Sequence, residues 1–211
     1  MTPRHLLADA RGASAAEFAL VLPLLLLLLF GIVDGARFAW EFNRAEKATQ
    51  AGARVAVVTD PIPGGLAATD YVGQTIGGVT LTQGDLIPAG ALGRITCSKT
   101  AGVLSCSCTT APCPATLTPI QSSGFDVMAA RMRGMYADIA DSNIRVEYSG
   151  SGLGFAGDPN GMEIAPIVTV SVTGLQFRPI ASRFFGGTAG ITMPGFRTSL
   201  TAEDSSGSQS N

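Results

Sequence analysis

The chain has 211 residues, a formal net charge of −2 and charged residues at only 14%, so no global field draws it to nucleic acid or to an anionic surface. Its single histidine is His5, which excludes catalysis by a histidine base or a histidine-bound metal in the body of the chain. Of 26 glycines, 22 lie after residue 59, which predicts many turns and short strands there rather than a helical bundle.

Residues 1–12, MTPRHLLADARG, are short, polar and mildly basic. Phe18 to Val33 then runs sixteen residues without a charge. With Ala13–Ala16 added, the run approaches the ~20 residues that a helix needs to cross a bilayer. Pro23 lies inside it, a position that a transmembrane helix tolerates. Glu17 stands at the mouth of the run. An acid at the centre of a membrane helix costs roughly 2.5–3.5 kcal/mol, so this one needs either a partner charge or a place at headgroup depth.

The helical pattern continues past the apolar run. Asp34 to Val58 contains no proline, and Phe38, Phe42, Ala45, Thr49, Gly52 and Ala56 recur at spacings of four, three, four, three and four. That is one stripe of a single helix, ending in small residues suited to close packing against other helices. Arg37 and Glu41 are an i,i+4 pair, and Trp40 with the nearby phenylalanines suits an interfacial aromatic belt. One helix of roughly 45 residues, ~65–70 Å long at 1.5 Å per residue, is therefore predicted, with only its first half in lipid. Thr59-Asp60-Pro61 ends it.

Beyond it, Leu92–Cys97 and Val103–Cys108 read as strands, as do Ile144–Tyr148, Ile167–Val172 and Ile191–Ala202. Gly124–Ile139 reads as a helix capped by Ser122-Ser123, with Phe125, Met128, Met132, Met135 and Ile139 on its apolar face. The tail SSGSQSN has the composition of disorder. Cys97, Cys106, Cys108 and Cys113 fall within seventeen residues. Their spacing lacks the paired C-x2-C of zinc ribbons, so disulfides in an oxidising compartment are favoured over a metal. Three connectivities are open. Cys97–Cys106 would bridge a hairpin turning at Lys99–Gly102 and leave Cys108–Cys113 around a proline-containing loop.

Several motifs resemble active-site signatures without their context. Gly152-x-Gly154-x-x-Gly157 has the letters of a dinucleotide fingerprint, but Asp158-Pro159-Asn160-Gly161 follows where a helix should begin. Asp158 and Asn160 lack further acidic ligands at calcium-loop spacing. Asp138 and Asp141 flank a helix end and read as solvated. Phe177-Arg178-Pro179-Ile180 through Arg183-Phe184-Phe185 mixes arginine with aromatics, and two readings stay open: a surface resting on membrane or partner, or a loop packed against the sheet.

At the N-terminus the small-residue site, Gly12-Ala13, precedes the apolar helix, whereas a secretory signal is cut after it. This arrangement resembles the leader of type IV pilins and pseudopilins. More closely, ARGASAAEFALVLPLLLLLLFGIVDGARFAW resembles the TadE-like family of tight-adherence (Tad, Flp-type) pilus assembly proteins. The core motif is present as Gly12 to Leu24, with Asp34 and the Phe42–Ala51 stretch also similar. The resemblance covers about residues 9–58. It implies that a prepilin peptidase cuts between Gly12 and Ala13. It also implies that Glu17, followed by Phe18, pairs with the freed amine of a neighbouring subunit's Ala13. Such a pair would offset the cost of the carboxylate in a low dielectric.

The expectation is an α+β protein: a long N-terminal transmembrane helix continuing out of the membrane, then a small antiparallel β-rich domain with one packed helix. Its parts are a leader at 1–12, the pseudopilin helix at 13–58, a disulfide-bearing periplasmic domain at 59–204 and a tail at 205–211. The resemblance implies a non-enzymatic minor pilin or assembly factor of a Tad-type pilus, without cofactor or metal. Its partners would be the inner membrane, the prepilin peptidase, other Tad pilins or pseudopilins and the assembly platform, with no nucleic acid. The alternative is an uncleaved, signal-anchored periplasmic domain unrelated to pili. Arg4 and Arg11 precede the span while Arg37, Arg44, Lys47 and Arg54 follow it, so charge counting does not by itself favour a cytoplasmic N-terminus. The cysteines and the leader are what put the C-terminal domain outside the cytoplasm.

Overall fold

The computed structural model describes residues 13–159, 161–184, 186–187 and 190–202. The leader at 1–12, Asn160 and the tail at 205–211 lie outside the described residues. Helix α1 (Ala13–Val58) runs 46 residues and passes through Pro23. Alanine and leucine dominate it, and both favour helix. It stops where Thr59 turns both its backbone N–H and its hydroxyl onto the carbonyl of Val55, at 3.1 and 3.0 Å, just before Pro61.

The described residues fall into two compact units, one of 13–41 with 176–191 and one of 42–175 with 192–202. The larger unit holds helix α2 (Ser122–Met135) and five strands, β1 (Arg94–Thr100), β2 (Val103–Thr110), β3 (Ile144–Ser149), β4 (Ile167–Val172) and β5 (Phe196–Thr201). These strands form one antiparallel sheet in the order β2-β1-β3-β4-β5. The protein is thus α+β, a long apolar helix followed by an antiparallel sheet with one packed helix.

Alternation decides which face of the sheet is buried. Ile95 and Cys97 of β1, Ile144, Val146 and Tyr148 of β3, and Val168, Val170 and Val172 of β4 point to one side and are buried. On the other side Arg197 pairs with Glu147 at 2.9 Å. The helices cover the apolar side. The Phe42 ring meets Phe196 edge-on at 4.9 Å, and the Lys99 ammonium lies 5.6 Å above the Phe125 ring.

The C-terminal half of α1 is part of this core. Ala45, Ala48, Thr49, Ala53 and Ala56 are buried, and a Cβ on Gly52 would lie 2.6 Å from the Met132 sulfur. The small-residue stripe therefore packs against the protein's own α2, not against other helices as its composition suggested. Buried Thr49 bonds its hydroxyl to the Ala45 carbonyl at 2.9 Å, which satisfies it inside the apolar contact.

Some expected boundaries shift. Helix α2 begins at Ser122 with Gln121 as its N-cap and without a side-chain cap, so the serines do not cap it. It ends at Met135, because Tyr136 takes an extended backbone with φ −142°. Ile139 is still buried, but from the irregular segment that follows, so its spacing matched the helix without belonging to it. Met128 and Met132 are buried, whereas Met135 is exposed. The strand expected over Ile191–Ala202 is divided into Ile191–Thr192 and β5 at Met193-Pro194-Gly195, where proline supplies no ladder donor. Asp141, expected to be solvated, is ion-paired with Lys99 at 3.1 Å and with Arg133.

Candidate functional site: the N-terminal helix

Ala13 is the first helical residue, and Gly12 lies outside the described residues. Glu17 follows one turn later on the same face, about 6 Å along the axis at the usual rise. Glu17 is exposed, and so are Phe18, Leu20, Leu24 and Ile32. Among residues 14–33 none is buried. A soluble chain does not leave some twenty apolar residues bare to water. This is one helix long and apolar enough to cross a membrane.

The apolar run ends at Asp34, a buried residue at 7% exposure. Three donors reach it. Oδ1 accepts the Ile180 N–H at 2.8 Å and Oδ2 the Ala181 N–H at 2.8 Å, while Arg37 Nη1 approaches Oδ1 at 3.3 Å. The same guanidinium reaches Glu41 at 3.3 Å and the Arg178 carbonyl at 3.5 Å. It also lies 5.5 Å over the Phe177 ring, and Phe38 meets that ring edge-on at 5.3 Å. In the stretch 177–185, Phe177 is buried and the backbone N–H groups of Ile180 and Ala181 meet Asp34 of α1, while Phe185 lies outside the described residues. Sequence offered one clue, a carboxylate closing an apolar run. Its backbone donors, some 146 residues away, left no local pattern.

The cysteines form a separate group in the larger unit. Cys97 of β1 and Cys106 of β2 are direct cross-strand partners, bonded, with Cα atoms 4.1 Å apart. Such close spacing belongs to the non-hydrogen-bonded positions of an antiparallel pair. Cys108 is bonded to Cys113 across a five-residue separation. All four thiols are thereby unavailable to a metal. The hairpin turns at Ala101-Gly102, both with positive φ, at 50° and 80°.

The glycine motif is a loop. Gly152, Gly154 and Gly157 have φ of +82°, +107° and +75°, and among the described residues the next helix in the chain begins only at Ile180. A Cβ on Gly154 would lie 2.2 Å from the Glu163 carbonyl, so close backbone approach accounts for that glycine.

The family model described as TadE-like protein matches residues 12–54. No curated protein and no solved structure matches the chain. The matched segment is about a fifth of the 211 residues, and it contains Glu17, the apolar run, Asp34 and the stripe through Gly52. By that match residues 12–54, the N-terminal helix, are similar to the TadE-like family.

Proposed function

We propose that this protein is a membrane-anchored, structural pseudopilin of a Tad-type pilus, acting in assembly or as a minor subunit, without catalysis of its own. The TadE-like match supports the association with that system. The observation that carries the reading is the bare helix of 14–33 with an exposed carboxylate, Glu17, one turn in. A prepilin peptidase would cut at Gly12–Ala13 and leave the apolar helix on the mature chain, its leader in the cytoplasm. The helix holds the protein in the inner membrane, and the disulfide-bearing domain meets the assembly platform and other pilins in the periplasm.

The resemblance to pilin-like leaders supplies a role for Glu17. Cleavage creates an α-amine at Ala13, a positive charge at the end of the helix. When two such helices pack in lipid, the amine of one and the Glu17 carboxylate of the other neutralise each other. Breaking a buried pair by removing one partner costs about 3–5 kcal/mol, because the other charge is left alone. Phe18 beside it presents an aromatic edge to the same contact.

The test is the mature N-terminus, read by intact mass and terminal peptide mapping of membrane-extracted protein with and without a co-expressed Tad prepilin peptidase. A chain starting at Ala13 only when the peptidase is present supports the reading. A chain retaining 1–12 in both samples leaves an anchored periplasmic domain unrelated to pili. Cleavage beyond Val33 would make the helix a signal peptide and overturn the reading outright. With processing established, Glu17→Ala is expected to abolish pilus production while cleavage continues.

A further inference from the structure

The segment 177–182 has no evident use in anchoring, since α1 alone spans a bilayer. Yet it is fastened to α1 at one level. Asp34 is the first charge after the uncharged run, and it takes the amides of Ile180 and Ala181 at 2.8 Å each. Phe177 is buried against Phe38, with the Arg37 guanidinium over its ring. The segment keeps water from the carboxylate, and these internal donors replace its hydration.

We infer that residues 177–182, held on α1 by Asp34, form a collar that seats in the headgroup layer of the phospholipid bilayer, with Ile180 turned to the acyl boundary and Arg178 to lipid phosphate. The inference rests on the reading of 13–33 as a membrane span. Register then fixes the depth. Residues 34–40 rise only about 10 Å beyond that span, roughly the thickness of one headgroup region. Whatever is fastened to Asp34 and Phe38 is carried to the same level. The exposed side chains there have interfacial chemistry: Trp40 at 61%, Ile180 at 38% and Ile191 at 53% are apolar or amphipathic, and Arg178 is exposed beside them. Aromatic and aliphatic groups with an adjacent arginine suit the boundary between acyl chains and phosphates. The covalent continuity of this level with the spanning helix makes lipid its occupant in preference to a protein partner.

Trp40 is the sole tryptophan, so one fluorophore can be moved. The full chain would be reconstituted into phosphatidylcholine–phosphatidylglycerol vesicles, some carrying lipids brominated near the headgroup end of the acyl chains. In the double variant Trp40→Phe, Ile180→Trp, the relocated tryptophan is expected to be quenched about two-fold by the brominated lipid. Adding Asp34→Ala should abolish most of that quenching while the protein still floats with the vesicles. Arg178→Gln, a surface change that leaves the Asp34 contacts in place, should weaken quenching only when phosphatidylglycerol is present. Co-flotation with an unquenched tryptophan at 180 overturns the collar and leaves the anchor standing. Equal quenching with and without Asp34 overturns the fastening. Failure to float overturns the membrane span and the collar with it.

Discussion

The Tyr148 hydroxyl accepts the Ile62 N–H at 3.1 Å, and both residues are buried. That bond ties the chain leaving α1 to the middle of the sheet. Tyr148→Phe keeps the ring and leaves the Ile62 amide without an acceptor, a loss of about 1–3 kcal/mol. A lowered thermal midpoint in mild detergent, with unchanged secondary structure, is the expected reading. An unchanged midpoint would mean that water reaches Ile62. Sequence placed Tyr148 on an alternating strand, and hence in the core. It did not show the hydroxyl's partner, because Ile62 lies in a Pro-Ile-Pro turn that carries no period of its own. Asp34 is the same case with a charge.

At the scale of the element, α1 does two different jobs along one continuous helix. Its first twenty or so residues are apolar on every face, and its last two turns and more carry small residues on one face only. The first pattern suits lipid and the second suits a close neighbour. Period alone could not say which neighbour: a row of alanine, threonine and glycine fits a helix of another chain as well as it fits α2. Packing made the choice, since Met132 fills the hollow over Gly52. Gly52→Leu should therefore act on the larger unit and not on anchoring. Overpacking of this kind costs about 1–3 kcal/mol, read as a lower denaturation midpoint, with membrane retention unchanged. If the variant instead keeps its stability and loses assembly, the stripe serves another subunit.

For the whole molecule, the larger unit buries phenols deeply enough to set an alkaline limit on folding. Burial, aided by the nearby Glu163 charge, pushes Tyr71 from 10.0 up to about 12, and burial raises Tyr148 as well. The sign follows from proton linkage. Both states hold the Tyr71 proton below pH 10, so there the stability is intact. Above it the unfolded chain ionises first, and stability falls as pH rises from 10.0 towards about 12. Each phenol contributes a slope of at most about 1.4 kcal/mol per pH unit. Thermal midpoints followed through that window, with phenolate absorbance as a second signal, should decline less steeply in Tyr71→Phe. Parallel curves for wild type and variant would remove burial of this phenol as the cause.

Amino-acid order by itself determined the long helix, because an uncharged run followed by a helical stripe has only one local solution. It marked the strands on either side of the Lys99–Gly102 turn and the alternation of β3 and β4 for a similar reason, since period and turn chemistry act between near neighbours, while the choice among three cysteine pairings came from the fold. It also carried the similarity of residues 12–54 to the TadE-like family, since Glu17 and the apolar run after it are a contiguous motif. Tertiary structure decided what contiguity cannot reach. It ordered the strands as β2-β1-β3-β4-β5, turned the helix stripe onto α2, and brought the amides of Ile180 and Ala181 to Asp34. Those contacts join residues far apart in the chain, and backbone N–H groups look alike in every sequence, so only folding selects which of them a carboxylate meets.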